Sequence, residues 1–443
     1  MQTSFTPAQL ADADIREADG ILRKCVHCGF CTATCPTYVL LGDELDSPRG
    51  RIYLIKHMLE TDARAPATPA RHLDRCLTCL SCMTTCPSGV NYMRLVDIAR
   101  ERMARGLRRP AMERMLRTLL MRLLPRPGVF RLALLGAALA RPFKALLPGR
   151  LGVMAAMAPK RLAPPSAVDR PQVFPAEGAR RKRVALMTGC AQQVLRPSIN
   201  EATVRLLTRL GCEVVVAEGA GCCGALAHHI GETAAAEAAA RANVAAWERV
   251  MAAGGLDAIV VNASGCGTTV KDYAFLLRHD PVWAERGARI ASLARDVSEV
   301  IDDLGLRGMR PTDNRPRARV IAYHAACSLQ HGQRVREVPK RLLAEAGFEV
   351  REPAESHLCC GSAGVYNILQ ADLALRLKER KAQRLAATGA DVVATGNIGC
   401  WSQLQGASLM PVVHTVELLD WATGGPPPLE ISPFAGASGG VGS

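Results

Sequence analysis

The sequence lacks any long apolar run. Its first twenty residues, MQTSFTPAQLADADIREADG, are polar and acidic, so we expect no cleavable signal peptide. The stretch VFRLALLGAALA is about a dozen residues long, whereas a helix needs about 20 residues to span a bilayer. We therefore expect a cytoplasmic protein without a transmembrane helix.

The sequence is also poor in signatures of nucleotide binding and of covalent catalysis. One G-x-G-x-x-G match, Gly219–Gly224, follows a predicted strand, but a single match is weak evidence. A second copy of this segment reads SHLCCG and lacks the leading glycines. We expect no FAD or NAD on this chain. No paired nucleophile and base stands out, so no catalytic residue is assigned.

Acidic residues are scarce in one segment. Between Arg100 and Arg161 there are 15 Lys/Arg residues and only 2 Asp/Glu residues, which accounts for nearly all of the net charge of +14. Such a segment suits an anionic surface such as lipid head groups, nucleic acid or an acidic partner. A surface-lying amphipathic helix, a solvated helix face and helices packed on a partner subunit are the alternatives.

Cysteine, by contrast, is abundant. There are 17 cysteines in 443 residues, and in a chain without an export signal they indicate metal ligands or redox groups rather than disulfides. One four-cysteine phrase occurs twice, as CVHCGFCTATCP from Cys25 and as CLTCLSCMTTCP from Cys76. The phrase matches the C-x2-C-x2-C-x3-C-P run of two-cluster ferredoxins, whose fourth cysteine ligates the other cluster.

This crossed ligation predicts two 4Fe–4S clusters that lie close together, as an electron relay requires. The ligands of the first are Cys25, Cys28, Cys31 and Cys86. The ligands of the second are Cys76, Cys79, Cys82 and Cys35. Structural zinc is the alternative, but three closely spaced thiols and one remote thiol are a poor zinc pattern.

The region from about residue 181 repeats itself. Its two cysteine sets, mostly 137 residues apart, are Cys190, Cys222, Cys223 and Cys266, then Cys327, Cys359, Cys360 and Cys400. Each set of four thiols could hold a metal or a cluster; buried thiols that happen to repeat are the alternative. Cys212 aligns with Phe348 and is predicted to be a core residue. Histidines near these loops, such as His324 and His331, could tune clusters by hydrogen bonding.

Short apolar runs alternate with helical patterns in this region, which favours α/β layers with parallel strands. The predicted strands are Val184–Thr188, Glu213–Ala217, Ala258–Asn262, Val320–Tyr323, Phe348–Arg351 and Val392–Thr395. We therefore predict an α+β multidomain protein. Its parts are a helical ferredoxin domain (1–100), a basic helical connector (101–180), two tandem α/β domains (181–312 and 313–424) and a flexible Gly/Pro/Ser-rich tail (425–443). We call the two α/β domains CCG domains, because each contains the sequence Cys-Cys-Gly.

The doubled cysteine phrase followed by two CCG repeats resembles the iron–sulfur subunit of glycolate oxidase (glycolate dehydrogenase), over about residues 15 to 420. The segment DSPRGRIYLIKHMLE, Asp46–Glu60, also looks like that family. The architecture is similar to iron–sulfur subunits of lactate-utilisation and anaerobic glycerol-3-phosphate dehydrogenase systems. A zinc-stapled interaction protein without a redox role is the alternative of another class.

The resemblance implies a separate FAD-containing subunit that oxidises glycolate to glyoxylate. This chain would carry the electrons onward to membrane quinone, would contact the inner face of the cytoplasmic membrane peripherally, and would bind no nucleic acid. One departure concerns the CCG repeats, which in the wider family often end in C-x-x-C. Here Thr269 and Gln403 occupy the place of that last cysteine, so each repeat lacks a fifth thiol.

Overall fold

The N-terminal part folds as short helices around the two cysteine phrases. The computed structural model describes residues 1–61, 67–142, 152, 154, 158–159, 162–306 and 319–431. The helices of this part are Pro7–Leu10, Ala13–Lys24, Pro36–Leu41, Pro48–Thr61, Ala67–Asp74, Ser81–Thr85 and Tyr92–Gly106. Their apolar faces meet in a core that includes Leu22, Ile55 and Leu95 and also takes in Cys25 and Cys76.

Two helices of the basic connector, Ala111–Leu123 and Pro127–Ala140, follow. The inner face of the first buries Leu116 and Leu120 against Val365 and Ile368, far along the chain. No helix within the described residues is both long enough and apolar enough to cross a membrane. Most of the connector between residues 143 and 161 lies outside the described residues.

The first α/β unit is built on a five-stranded sheet. Its strands are β1 (Gln172–Phe174), β2 (Lys182–Met187), β3 (Cys212–Val216), β4 (Ala258–Val261) and β5 (Ala294–Asp296). Their order is β1-β3-β2-β4-β5, with β1 antiparallel and the rest parallel. The helices of this unit are Gln192–Leu195, Ser198–Arg209, Ala225–His229, Thr233–Ala252, Ser264–Lys271, Tyr273–Leu276, Ala284–Leu293 and Val297–Leu304.

The second unit repeats this arrangement with a four-stranded parallel sheet. Its strands are β6 (Val320–His324), β7 (Glu349–Arg351), β8 (Val392–Thr395) and β9 (Val412–His414), in the order β7-β6-β8-β9. The helices are Val338–Glu345, Tyr366–Leu369, Ala371–Ala386, Ile398–Leu404 and Thr415–Ala422. The strand order matches β3-β2-β4-β5 of the first unit, so the predicted α+β class with two tandem units is confirmed.

The two units share one core. Leu206 and Val214 of the first unit lie in the same apolar cluster as Leu342 and Val416 of the second. The Asp420 carboxylate also joins the two units, because it forms ion pairs with the guanidinium groups of Arg205, at 2.7 Å, and Arg209, at 2.5 Å. The last helix, Thr415–Ala422, therefore completes the core of both units.

The six predicted strands are all present, with ends within two residues of the prediction. The strands β1, β5 and β9 were not predicted, because each has only three residues and is too short for the apolar run of four or more residues that indicates a buried strand. Cys212 is 0 % exposed in the shared core, as predicted.

The start of the segment predicted as a flexible tail is packed on the protein. Glu430 forms an ion pair with Arg196, and Ile431 is buried. Residues 432–443 of that segment lie outside the described residues.

Candidate metal centres

The two cysteine phrases share left-handed backbone conformations at two matched positions. His27 and Thr78, each two residues after the first cysteine of its phrase, have φ of 54° and 51°. Gly29 and Leu80, two residues further on, have φ of 86° and 63°. Left-handed conformations are costly for residues other than glycine and persist where the surroundings require them. The repeated turn brings the closely spaced thiols of each phrase around one cavity.

One cavity, of about 430 Å³, is lined by the first phrase together with the end of the second. Its cysteines are Cys25, Cys28, Cys31, Cys82 and Cys86. Cys25 follows the helix Ala13–Lys24, and Cys86 follows the helix Ser81–Thr85. Four of these five cysteines are the ones that the sequence assigns to the first cluster.

A second cavity, of about 320 Å³, is lined by Cys35, Cys76, Cys79 and Cys82. These are the four cysteines that the sequence assigns to the second cluster. Cys35 reaches it from the first phrase because Pro36 begins a new helix directly after it. Cys82 lines both cavities, so the two thiol sets are neighbours.

A buried arginine lies beside the second thiol set. Arg51 is about 1 % exposed, and its Nη1 lies 3.7 Å from Cys35 Sγ. The Arg51 guanidinium also donates to the carboxylate of Asp46 at 3.2 Å and to the carbonyl of His72 at 2.8 Å. Asp46 in turn pairs with His72 and Arg75. This network holds a positive charge next to Cys35 of the second thiol set.

Further groups act on Cys76. The hydroxyl of Tyr92 donates to Cys76 Sγ at 3.6 Å, and Arg100 Nη2 donates to the Cys76 carbonyl at 2.7 Å. Burial opposes ionisation of this thiol, but the guanidinium groups of Arg51 and Arg100 outweigh burial, so the pKa of Cys76 is lowered. Arg100 belongs to the basic segment by sequence, yet in the fold it serves the thiol set.

The pKa of the neighbouring thiol Cys82 is shifted in the opposite direction to that of Cys76. Burial, and then the charge of Cys79 and Cys76, raise the pKa of Cys82. Four thiolates this close together are stable only when a cation compensates their charge, and metal binding releases the thiol protons for that reason. Soft thiolate ligands suit iron–sulfur clusters. The donor sets, with Arg51 beside one of them, therefore fit such clusters.

The cysteines of the α/β units converge at the carboxyl ends of the parallel strands. In the first unit, hydrogen bonds from the Cys190 and Cys223 thiols lower the pKa of Cys222 to about 3. In the second unit, Cys327 Sγ lies 3.7 Å from Cys359 Sγ, and Cys327 and Cys360 lower the pKa of Cys359. Each unit thus brings four thiols together, Cys266 and Cys400 being the fourth members.

The glycine after each cysteine pair permits this convergence. Gly224 and Gly361 both have φ of 89°. A Cβ at these positions would lie 2.9 Å from the Ala236 carbonyl oxygen and 2.7 Å from that of Ala374. Each amide donates to the sulfur two residues earlier, at 3.5 Å. The double cysteine therefore lies on a turn that only glycine can close against the following helix.

Thr269 and Gln403, which stand where relatives have a fifth cysteine, form hydrogen bonds to other groups. The Thr269 hydroxyl donates to the Gly265 carbonyl one turn earlier. The Gln403 amide donates to the Ala374 carbonyl at 3.2 Å and accepts from Asn367 at 3.2 Å. Neither side chain is free to replace a thiol ligand.

The second thiol set of the ferredoxin part lies against the second α/β unit. Cys79 and Cys359 belong to one buried apolar cluster that also contains Leu77, Tyr366 and Leu373. Burial, and then the charge of Cys359, raise the pKa of Cys79. The thiols of two different parts of the chain are therefore electrostatic neighbours.

Sequence reasoning did not find Arg51, Tyr92 and Arg100 as partners of the thiols. Arg51 lies in the segment Asp46–Glu60, whose resemblance to a known family was the one available signal. Tyr92 and Arg100 lie on one helix, two turns apart, and only the fold shows that both reach the loop at Cys76.

Comparison with known proteins gives the same two parts. A family model described as "4Fe-4S dicluster domain" matches residues 21–90. One described as "Cysteine-rich domain" (CCG) matches twice, at residues 184–271 and 321–405. The fold is similar to that of a hypothetical protein from Helicobacter pylori, with a TM-score of 0.55 at 12% identity, over 94% of this chain and 73% of that one.

Curated relatives match over nearly the whole length. The glycolate oxidase iron–sulfur subunit of Escherichia coli is 42% identical over 95% of this chain and 99% of its own. The probable glycolate oxidase iron–sulfur subunit of Bacillus subtilis is 33% identical, over 92% and 96%. Lactate utilization protein A of Bacillus subtilis is 27% identical over only 54% of this chain. The chain therefore belongs to the family of glycolate oxidase iron–sulfur subunits.

Proposed function

We propose that this protein is the electron-transfer subunit of a flavin-linked glycolate dehydrogenase complex. A separate FAD-containing subunit oxidises glycolate to glyoxylate, and this chain passes the electrons toward membrane quinone. The observation that carries the proposal is the pair of adjacent cavities, each lined by at least four cysteines drawn from both cysteine phrases. The 42% identity to a glycolate oxidase subunit supports the choice of substrate.

In this proposal the first 4Fe–4S cluster is held by Cys25, Cys28, Cys31 and Cys86, and the second by Cys76, Cys79, Cys82 and Cys35. Bound clusters supply reversible one-electron chemistry. The residues of the chain fix the cluster positions and set the local charge. Arg51 offsets negative charge at the second cluster, Tyr92 donates to one of its sulfur ligands, and the apolar wall around Cys79 excludes water.

The thiol sets of the α/β units would extend this path. Cys79 shares a buried cluster with Cys359, so a metal centre in the second unit would lie beside the second 4Fe–4S cluster. The second 4Fe–4S cluster would then be the one that exchanges electrons with a centre in the second α/β unit.

The decisive experiment is anaerobic purification followed by iron, sulfide and zinc analysis and by EPR of the reduced protein. Two 4Fe–4S clusters require roughly eight irons per chain, with magnetically coupled signals because the clusters are adjacent. Iron beyond that number would show that the α/β thiol sets are also loaded. A colourless, zinc-loaded protein would refute the redox role.

The substrate is tested by reconstitution with the flavoprotein subunit. Glycolate should reduce the clusters of this chain under anaerobic conditions. Faster reduction by lactate or by glycerol 3-phosphate would instead assign the chain to one of those dehydrogenases.

We further propose that the two connector helices contact the membrane surface. Each presents exposed apolar residues at i, i+3 and i+7, which places them on one helix face: Met112, Met115 and Leu119, then Leu132, Leu135 and Leu139. Exposed arginines flank these residues: Arg108, Arg114, Arg122 and Arg126. An apolar face bordered by arginine is typical of helices that lie on anionic lipid.

Sedimentation with vesicles that contain anionic lipid tests this contact. The double variant Leu132→Ser, Leu139→Ser removes side chains that are 70 % and 79 % exposed, and it should weaken binding at least tenfold, because each leucine contributes about 1.5–3 kcal/mol when buried. Leu409→Ser, at a leucine 94 % exposed elsewhere, is the matched control. Vesicle binding that is absent, or insensitive to the double variant, would assign the face to the flavoprotein subunit instead.

A further inference from the structure

The two α/β units differ at one buried position beside their thiol sets. His324 ends β6 and pairs across the sheet with Thr395. At the equivalent position of the first unit, 137 residues earlier, Met187 ends β2 and pairs with Val261. An apolar pair in one unit is therefore replaced by a polar pair in the other. Burial of polar groups is unfavourable unless they find partners, so the imidazole requires an interaction that Met187 does not.

The hydrogen bonds of the imidazole account for only one of its nitrogens. Nδ1 lies 3.1 Å from the Thr395 hydroxyl. Nε2 has no hydrogen-bond partner. Water cannot supply one, because His324 is only 2 % exposed. Ligand atoms of His324, Cys360 and Cys400 all lie within 4.8 Å of one another. The unpartnered nitrogen thus belongs to a compact group of metal-binding atoms.

We propose that the second α/β unit holds an iron–sulfur centre to which His324 is a ligand through Nε2, together with the thiolates of its cysteine set. Thr395 fixes the ring through Nδ1, as partners of metal-bound histidines commonly do. The thiolate ligands are Cys327, Cys359, Cys360 and Cys400. The choice of iron as the metal rests on the proposed redox function. The number of ligands agrees with this choice, because five nitrogen and sulfur donors exceed the four of a structural zinc site.

The proposal makes the two units unequal. The first unit offers four thiols and the apolar Met187, whereas the second adds a neutral nitrogen ligand. Imidazole is a neutral ligand, so a centre in the second unit would carry the same ligand charge as a four-thiolate centre in the first unit, with one more donor atom. The unit with the additional ligand is also the one whose Cys359 lies in the same buried cluster as Cys79.

Pulsed EPR of the reduced, full-length protein tests this ligand directly. The wild type should show the hyperfine coupling of a directly bound imidazole nitrogen. His324→Asn keeps a polar group facing Thr395 but removes Nε2, and it should abolish the coupling and lower the iron content. His324→Cys restores a soft ligand, so it should retain iron without the nitrogen coupling.

His414→Asn is the matched control, because His414 is also fully buried with an unpartnered Nε2, and asparagine preserves its helix cap. This variant should keep both the coupling and the iron. No imidazole coupling in the wild type, an unchanged coupling in His324→Asn, or zinc in place of iron in the second unit would overturn the proposal. In each of these cases the coupled signals of the two 4Fe–4S clusters would persist, whereas failure of the proposed function would remove them.

Discussion

Thr84 Oγ1 and His331 Nδ1 lie 2.7 Å apart, and this hydrogen bond joins the second cysteine phrase to the second α/β unit. The other ring nitrogen of His331 lies 3.1 Å from the His357 carbonyl, two residues before Cys359. One side chain therefore links the loops that carry Cys82 and Cys359. The relative position of two thiol sets is fixed by hydrogen bonds as well as by apolar packing.

Crossed ligation predicts an asymmetric effect of Cys35→Ser. This change should disturb the EPR signal of the cluster held by Cys76, Cys79 and Cys82 more than that of the cluster at its own phrase, because Cys35 lines the cavity of the former. Cys212→Ala, at a buried cysteine that lines neither cavity, should leave both signals unchanged. The reverse asymmetry would refute the crossed assignment.

Arg51→Gln should lower the reduction potential of the second cluster. Loss of a positive charge beside Cys35 and Cys76 disfavours the more negative, reduced state, by an amount on the order of tens of millivolts. Asp46 keeps His72 and Arg75 as partners, so the site should still fold. Potentiometric titration followed by EPR measures the shift, and Arg51→Lys, which keeps the charge, should shift the potential less. An unchanged or raised potential in Arg51→Gln would contradict this role.

Gly361→Ala should destabilise the second unit by about 3 kcal/mol or more. A left-handed conformation costs roughly 1–2 kcal/mol for alanine, and the new Cβ would also meet the Ala374 carbonyl oxygen at 2.7 Å. Gly255→Ala is the control, since its φ is 77° but no atom lies within 4 Å of a Cβ there. Thermal unfolding should show a clearly larger loss for Gly361→Ala; equal losses would mean that the close approach is not rigid.

Asp296→Asn should stabilise the protein at pH 8, and the gain should shrink as the pH falls to 5.5. Burial raises the pKa of Asp296 to about 6, above its value of about 3.9 in an unfolded chain. The folded state therefore binds this proton more tightly, and its stability falls as the pH rises from about 4 to 6, by roughly 2–3 kcal/mol. Asparagine is an equally good helix cap.

Melting temperatures at the two pH values measure this effect. Asp303→Asn is the control, because the exposed Asp303 has a lowered pKa through its hydrogen bond to Lys182. A pH-independent gain, or a loss at pH 8, would show that Asp296 is not the responsible group.

The cysteine chemistry and the repeated units could be predicted from the sequence because both are local or periodic patterns. Each cysteine phrase is only a dozen residues long, so its spacing is visible in the sequence. The 137-residue repeat is visible too, because both copies contain a cysteine pair followed by glycine, Gly224 or Gly361. Cys212 was placed in the core because its counterpart is Phe348, and it lies there.

The electrostatic environment of the thiols could not be predicted in this way. Arg51 and Arg100 reach the Cys76 region from different helices. Apart from the family resemblance of the segment that contains Arg51, nothing in their sequence neighbourhood distinguishes them from surface arginines. The approach of Cys79 to Cys359 depends on how whole units pack. Contacts between distant parts of a chain leave no periodic signal, so the path between thiol sets required the fold.

The shared core has a consequence for how the chain is made. Leu206 and Val214 are covered in part by the helix Thr415–Ala422, and Asp420 on that helix is the partner of Arg205 and Arg209. Domains usually fold one by one as the ribosome releases them. Here apolar surface of the first α/β unit stays uncovered until the helix Thr415–Ala422 has been synthesised. A premature stop near residue 400 would thus damage a unit whose own sequence is complete.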